Sequence, residues 1–209
     1  MNRCSSKLPL TSISIAGVLC REKSGVAAIE FALLAPVIIV TMLGMSDLIY
    51  DQYVTSVVWG AVQKAGRDST IEGNNSASNM AAIDGKVMAT VRIVAPSASF
   101  TSTRMSYSDF ANVDVPEPFT DTNGDGIRET GECYSDTNGN GRYDTNDGLS
   151  GQGGASDVAV YSITVTYPRL FPVQRLLGWS ASNTITAQTA LKNQPYNGQS
   201  VPIATTICT

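Results

Sequence analysis

The feature that most constrains this sequence is an apolar run that follows Gly25 and ends near Ile49. Its clearly polar residues are Glu30, Thr41, Ser46 and Asp47. A helix rises about 1.5 Å per residue, so a helix of this length crosses the hydrocarbon core of a bilayer, which is about 30 Å thick. The sequence therefore predicts a transmembrane helix over residues 26–49.

Glu30 is the exception within this run. A carboxylate in the outer third of a membrane helix costs up to about 3 kcal/mol, so a positive group or water should compensate it. Cleavage after Gly25 would supply such a group, because the new amine of Val26 would lie four residues before Glu30 on the same side of the helix. The alternative is that Glu30, near a helix end, extends its carboxylate to water and has no function.

Residues 25–50 (GVAAIEFALLAPVIIVTMLGMSDLIY) carry two related resemblances. A small residue before the cut, then apolar residues with Glu30 in fifth place and Phe31 in sixth, resemble the prepilin peptidase site of type IV pilin-like proteins. The whole run, with Pro36 inside it, resembles the anchor of TadE-like proteins of the tight-adherence (Flp) pilus machinery. Proline removes one helical donor and bends or loosens the helix locally.

These resemblances imply a minor pilin or pseudopilin-like subunit whose leader is removed by a prepilin peptidase. The processing residues would be Gly25, Val26, Glu30 and Phe31. The resemblance also implies that Glu30 meets the free amine of a neighbouring pilin-like subunit when the helices pack. The expected partners are membrane lipid, the peptidase, other pilin-like subunits and pilus assembly proteins.

Charge on either side of the run predicts its orientation. Four basic residues precede it: Arg3, Lys7, Arg21 and Lys23. Asp47 and Asp51 follow it, so the positive-inside tendency places a leader of residues 1–25 in the cytoplasm. This predicts a single-pass protein of the inner membrane with an extracytoplasmic C-terminal domain. The alternatives are a secretory signal centred on residues 8–19 and a lipoprotein site at Cys20, which the bulky Leu19 disfavours.

Composition excludes some classes of function. The net charge is -4, and outside the leader no basic stripe exists, so the sequence predicts no nucleic-acid binding. There is no His, which removes the commonest general base and metal ligand, and no catalytic constellation is visible. A chain of 209 residues has room for one anchor and one modest domain, and we expect it not to be an enzyme.

Two helices are predicted before the first strand. Apolar residues at three- and four-residue spacing continue the first helix to about Asp68, either as the stalk of a pilin-like fold or as an ordinary amphipathic helix on a sheet. A second helix is predicted over residues 76–94, capped by Ser76 or Ser78 and stopped by Pro96. Its last four residues are largely β-branched and fit a strand equally well.

The remaining chain predicts antiparallel strands. Residues 98–107 suit an exposed strand, and residues 158–167 alternate with one strongly apolar face. Residues 184–192 should pair with that strand. Between them, Leu170 to Trp179 could form a helical turn whose apolar groups contact a membrane or partner, or pack in the core. Residues 193–196 (NQPY) resemble the close of TadE-like domains, with Gln194 in place of the acid of that family.

The predicted fold class is α+β, with a long transmembrane and stalk helix, a second helix, a small antiparallel sheet and an irregular insertion. The expected segments are a leader (1–25), a transmembrane helix (26–49), a helical stalk with the first strand (50–108), an acidic insertion (109–157) and a C-terminal β region (158–209).

The acidic insertion contains two oxygen-rich loops that share one spacing. Side-chain oxygens stand at places one, three, five, nine and twelve, a carbonyl at seven and Gly at six, as in a twelve-residue calcium loop. The first set is Asp121, Asn123, Asp125, Ile127 (through its carbonyl), Glu129 and Glu132. The second set is Asp136, Asn138, Asn140, Arg142 (through its carbonyl), Asp144 and Asp147. The spacing predicts a structural Ca²⁺ cofactor.

The surroundings of these loops argue against a paired helix-loop-helix sensor, because Pro116 and Pro118 precede the first loop and three residues separate the two. The insertion instead resembles tandem thrombospondin type 3-like repeats, which implies a metal that holds together chain without a core of its own. Millimolar affinity would suffice outside the cell. The alternative is a flexible, acidic, Gly/Asn-rich loop without metal.

The cysteines suit the same compartment. Cys4 and Cys20 would leave with the leader, so the exported part would keep Cys133 and Cys208. In an oxidising space these two could form a disulfide that fastens the insertion to the C-terminal tail. The alternative is two unpaired thiols.

Three functional hypotheses follow from these features. The first is a pilin-like subunit of tight-adherence pilus assembly that is cut after Gly25. The second is an uncleaved TadE-like anchor or scaffold of the envelope. The third is a calcium-stabilised surface adhesin in which residues 120–148 bind a partner.

Overall fold

The computed structural model of this protein describes residues 25–71, 73, 76–171, 178–196 and 202–208. The basic part of the predicted leader, with Cys4 and Cys20, lies outside the described residues. So do residues 172–177, which form most of the predicted helical turn before Trp179.

The architecture is α+β, as the sequence predicts. The helices are α1 (Val26–Ser69) and α2 (Ala77–Val94). The strands are β1 (Ser99–Tyr107), β2 (Cys133–Asp136), β3 (Leu149–Ser150), β4 (Val158–Pro168), β5 (Ser182–Lys192) and β6 (Thr205–Cys208). Strands β3, β1, β4 and β5 form one antiparallel sheet in that order, and β2 pairs with β6 in a second.

The chain divides into two compact units, Met1–Ser46 and Asp47–Thr209. In the described part of the first unit, α1 passes through Pro36 without interruption and contains the one helix segment among the described residues that is long and apolar enough to cross a membrane. None of its most apolar 18 residues is buried by protein. The hydroxyls of Thr41 and Ser46 donate to helix carbonyls three or four residues earlier, which satisfies these groups without water.

The second unit is built on a helical stripe that covers one face of the larger sheet. Val54, Val58 and Val62 recur every four residues on α1 and are fully buried. They share a core with Ile83, Val87 and Val91 of α2 and with Tyr161, Ile163, Val165 and Tyr167 of β4. The predicted amphipathic helix is therefore present, with Val54 turned inward and the preceding Tyr53 exposed.

Several local predictions are confirmed. Ser76 caps α2 by accepting the amide of Asn79 at 3.3 Å, and residues 91–94 are helical because Val91 packs in the core. Strand β4 pairs with β5 over its whole length. Strand β1 is less exposed than expected: its end at Tyr107 is buried with Val158 and Val160 in a smaller cluster on the other face of the sheet.

An ion pair between Asp84 and Arg104, together with a hydrogen bond from Tyr161, links α2 to the sheet. The carboxylate of Asp84 lies 2.6 Å from the Arg104 guanidinium and accepts the hydroxyl of Tyr161 at 2.8 Å and that of Ser102 at 2.8 Å. Burial alone would raise the pKa of Asp84, but the hydrogen bonds from Arg104, Ser102 and Tyr161 and the Arg104 charge hold it below its usual value. The Arg104 guanidinium also stacks over the Tyr161 ring.

We predict that Asp84→Asn lowers the free energy of unfolding of the second unit by about 2 to 3 kcal/mol, because it leaves Arg104 largely buried without a counter-charge. Urea unfolding of the solubilised chain, followed by tryptophan fluorescence, measures this loss. Asp109→Asn is the matched control, since Asp109 is exposed and makes no side-chain cap bond.

The same comparison at several pH values tests the sign of the pKa shift. A depressed pKa stabilises the fold above the pKa of an unfolded Asp, about 3.9, and this contribution disappears as pH falls through the folded value. The difference between wild type and Asp84→Asn should therefore be full at neutral pH and shrink below about pH 4. A difference that does not change with pH would contradict this account of Asp84.

Candidate functional sites

The predicted processing residues lie together at the start of α1. Gly25 directly precedes the first helical residue, Val26, and Glu30 follows one turn later. All four positions, Phe31 included, are exposed. Glu30 makes no hydrogen bond or ion pair with any residue in the described part of the chain. Its compensation, if any, must come from outside the described protein.

Both acidic loops fold around their first acid in the same way. The carboxylate of that acid accepts two backbone amides, from the fourth and the sixth residue of the loop. The bonds are Asp121 to Gly124 (2.6 Å) and to Gly126 (2.8 Å), and Asp136 to Gly139 (2.7 Å) and to Gly141 (2.8 Å). All four glycines have φ between 76° and 78°, a region that side chains disfavour, which explains the Gly at these places.

The agreement extends along each loop. The third and fifth side chains each accept the amide two residues later, and the third side-chain amide donates to the ninth residue. The accepting side chains, with the residues whose backbone amides donate to them, are Asn123 (Asp125, 3.0 Å), Asp125 (Ile127, 2.8 Å), Asn138 (Asn140, 3.0 Å) and Asn140 (Arg142, 2.8 Å). The side-chain amide of Asn123 donates to the Glu129 carboxylate (3.2 Å), and that of Asn138 donates to the Asp144 carboxylate (2.9 Å). The tandem spacing of the sequence is thus a tandem of two loops with one conformation.

The closing acid is where the two loops differ. In the first loop Glu132 accepts the amides of Thr122 (2.7 Å) and Glu129 (3.0 Å), which are the second and ninth residues. The equivalent amides of the second loop, Thr137 (2.8 Å) and Asp144 (3.1 Å), donate to the two carboxylate oxygens of Glu117. Glu117 therefore holds the position that the spacing of the sequence gives to Asp147.

Glu117 reaches this position because its own segment lies against the loops. Its amide donates to the carbonyl of Asp144 at 3.0 Å, and the Pro118 carbonyl accepts the amide of Ser135 at 2.8 Å. The side chain is 1% exposed. Glu117 precedes the first residue of the second loop, Asp136, by nineteen positions, so a twelve-residue motif does not include it. The only local signal is an acid between two prolines, Pro116 and Pro118.

Asp147 occupies a different place. One of its carboxylate oxygens accepts the hydroxyl of Thr137 at 3.3 Å, and the other is buried without a hydrogen-bond partner in the described part of the protein. Burial, together with the charge of Glu117, raises the pKa of Asp147. At the first acid the direction is opposite: the Gly126 amide is the largest cause that lowers the pKa of Asp121.

These loops present oxygen atoms and almost no positive charge. Glu117, Asp136 and Glu132 are buried. The first loop contains Arg128, whose guanidinium stacks over Tyr134 and Tyr143 and donates to the Glu132 carbonyl, and the second contains Arg142, which is exposed. Carboxylate, amide and carbonyl oxygens suit a hard cation such as Ca²⁺. Among the described residues no three Asp, Glu, His or Cys side chains are arranged around one metal position. The fit to Ca²⁺ therefore rests on the loop conformation and the oxygen donors.

The insertion contains packed side chains and a disulfide, and so it differs from a loop without a core of its own. Phe119 and Tyr134 each meet the Tyr143 ring edge-on, with centroids 5.8 and 5.6 Å apart, and Tyr134 is buried. Cys133 and Cys208 stand opposite each other in the β2–β6 pair and form a disulfide, as the sequence predicts. The bridge joins the insertion to a segment 75 residues further along the chain.

We predict that the double change Cys133→Ser and Cys208→Ser lowers the unfolding free energy of the insertion by about 2 to 4 kcal/mol, because the bridge closes a long loop in the unfolded chain. The expected readout is faster proteolytic cleavage within residues 109–150 of the oxidised chain, followed by mass spectrometry. The control is cleavage within β4 and β5, which should stay slow. Equal cleavage rates for wild type and the double variant would contradict a stabilising bridge.

Comparison with known proteins identifies one region. A family model described as TadE-like protein matches residues 25–67, which is most of α1 and none of the sheet or the insertion. No curated protein and no solved structure matches the chain.

Proposed function

We propose that this chain is a minor pilin or pseudopilin-like subunit of tight-adherence pilus assembly, cut after Gly25 by a prepilin peptidase. The TadE-like match and the candidate membrane helix fit a membrane protein associated with this pilus. The observation that carries the finer proposal is the position of the match. It begins at Gly25, the residue directly before α1, and it contains the exposed Glu30 in the apolar segment.

The proposed action is mechanical. After cleavage the Val26 amine is positive and lies one helical turn before Glu30, so the two charges compensate at the end of a helix that is otherwise apolar. In an assembly the same pair can form between neighbouring helices, which directs packing because lipid supplies no other polar partner. The peptidase is the enzyme in this scheme, and the chain is its substrate.

The proposed location is the inner membrane, with the leader in the cytoplasm and the second unit outside it. The excess of basic residues before α1 supports this orientation. The disulfide supports an oxidising compartment for Cys133 and Cys208. Membrane lipid, the peptidase and other pilin-like subunits are the partners that this arrangement requires.

Processing can be tested by co-expression with a prepilin peptidase and mass spectrometry of the purified chain. We expect the wild type to lose residues 1–25 and to begin at Val26. Gly25→Leu should remain intact, because a bulky side chain replaces the small residue at the cut. Gly60→Leu is the matched control, since a Cβ added at Gly60 would meet nothing within 4 Å, and it should be cut normally. An intact Met1 in the wild type would favour the uncleaved anchor instead.

We also propose that Ca²⁺ holds the two acidic loops together. In the first loop the ion would be held by Asp121, Asn123, Asp125, Ile127 (carbonyl), Glu129 and Glu132. In the second it would be held by Asp136, Asn138, Asn140, Arg142 (carbonyl) and Asp144, with Glu117 as the closing acid. When bound, the ion supplies the positive charge that the buried carboxylates of this region otherwise lack. The shared loop conformation supports this proposal.

Calcium binding can be tested by titration calorimetry of the full chain, with thermal unfolding in EGTA as a second readout. We expect binding in the range of about 0.1 to 1 mM and a higher unfolding temperature with Ca²⁺. Glu117→Gln should weaken one site at least about ten-fold, or about 1.4 kcal/mol, because a neutral amide with one oxygen replaces a charged carboxylate with two. Asp147→Asn is the matched variant and should weaken it much less.

The outcomes separate the alternatives. If Ca²⁺ changes neither heat nor unfolding temperature, the loops are metal-free. If Asp147→Asn weakens binding more than Glu117→Gln, Asp147 is the closing ligand of the second loop, as the spacing of the sequence predicts. Neither result bears on processing after Gly25, which is tested separately.

A further inference from the structure

The end of the apolar segment carries a buried acid. Asp47 is 1% exposed, and one of its carboxylate oxygens accepts a hydrogen bond from Nη1 of Arg169. Its other oxygen has no partner among the described residues. A charged side chain this close to a membrane span therefore does not face lipid, because the second unit encloses it.

Arg169 links Asp47 to an exposed indole. Its Nε donates to the Ser180 carbonyl at 2.8 Å, and its backbone amide donates to the Ala181 carbonyl at 3.1 Å. The guanidinium lies over the Trp179 ring, 5.0 Å from the centroid. Arg169 thus contacts both Asp47 and Trp179, and it connects the buried acid to the exposed indole.

The depth of this group follows from the length of α1. Residues 26–45 span about 30 Å as a helix, which is the thickness of the hydrocarbon core. Asp47 lies two residues further, about 3 Å beyond the core boundary. A headgroup layer is about 5 to 7 Å thick on each side, so Asp47 and its partner lie at headgroup level when the span is inserted.

Neighbouring side chains at this end are apolar and exposed. The Tyr50 hydroxyl donates to the Val94 carbonyl at 2.8 Å, which places the end of α2 near the same helix turn. Ile93, beside it, is 80% exposed, and Leu170, beside Arg169, is 56% exposed. We call Ile93, Arg169, Leu170 and Trp179 the membrane-proximal edge.

The second acid of this region is also turned inward. Asp51 accepts the Tyr167 hydroxyl at 2.5 Å and the Asn183 side-chain amide at 2.8 Å. Arg92 precedes Ile93 and adds a basic group at the same end. Both acids that could repel anionic headgroups are therefore paired within the protein. The groups left outside are apolar, aromatic or basic, which are the types enriched at membrane interfaces.

We propose that the membrane-proximal edge docks into the lipid headgroup layer and sets the depth at which α1 lies in the membrane. Trp179 is the anchor, and Arg169 positions it by pairing with Asp47. A fixed depth at Asp47 also fixes where Val26 and Glu30 lie at the other end of the span. The inference rests on α1 spanning the membrane, which is part of the proposed function, and on neither the calcium proposal nor cleavage.

The chain has two tryptophans, which makes a direct test available. Trp59 lies fourteen residues beyond Met45 on α1, about 21 Å further along the helix. The full chain is reconstituted into vesicles that contain phospholipids brominated near the interface, as Trp59→Phe or as Trp179→Phe. We expect strong quenching in Trp59→Phe, which keeps Trp179, and weak quenching in Trp179→Phe, which keeps Trp59.

A second pair of variants tests the positioning role. In the Trp59→Phe background, Arg169→Ala should reduce the quenching of Trp179 at least about two-fold, whereas Lys86→Ala, at an exposed basic residue in the middle of α2, is the control and should not. Circular dichroism checks that each variant keeps its secondary structure, and Arg169→Lys should restore part of the quenching if the fold of Arg169→Ala is disturbed.

The remaining outcomes overturn the inference. Unquenched Trp179 in protein that floats with the vesicles shows that the edge does not touch lipid, and equal quenching of both tryptophans shows contact without a specific edge. Protein that does not float with vesicles at all shows instead that the span itself, and with it the proposed membrane function, is wrong.

Discussion

The two parts of α1 have different surroundings, and the rest of the structure depends on this constraint. The first part is apolar and exposed, whereas the second part packs in the core of the second unit. The first part of α1 exposes apolar side chains, and none of its most apolar 18 residues is buried by protein, which suits a helix that lipid or other membrane helices cover. The second part buries Val54, Val58 and Val62 completely against the sheet. The change occurs at Ser46 and Asp47, where the chain divides into its two units.

The buried acids of the second unit have partners of two kinds, arginine side chains and backbone amides. Asp84 and Asp47 each meet an arginine from the sheet region, Arg104 and Arg169. Glu117 meets backbone amides of a loop. Glu30 meets none within the described protein, which distinguishes it from the others. A buried or lipid-facing carboxylate without a partner is costly, so under the proposed function Glu30 is the acid whose partner processing or assembly would supply.

Local sequence signals predicted what local interactions determine. Ser76 predicted the start of α2, and the alternation in β4 predicted its apolar face. The pairing of Cys133 with Cys208 joins distant segments, and it was predicted because these are the two cysteines that remain outside the leader. The two loops also share the conformation that their spacing indicates. The roles of Glu117 and Arg169 were not predictable, because each depends on a contact between distant parts of the chain. Their sequence surroundings, prolines for one and a strand end for the other, carry no signal of the partner.

The central claim is that α1 passes from lipid to protein core at Asp47. Nitroxide labels on single cysteines at Val37 and Lys64, in a Cys4→Ser, Cys20→Ser background, test it through collisions with oxygen and with a water-soluble nickel chelate in vesicles. The account predicts that the label at Val37 collides with oxygen and not with nickel, and that the label at Lys64 collides with nickel. Nickel access at Val37 equal to that at Lys64 would contradict it.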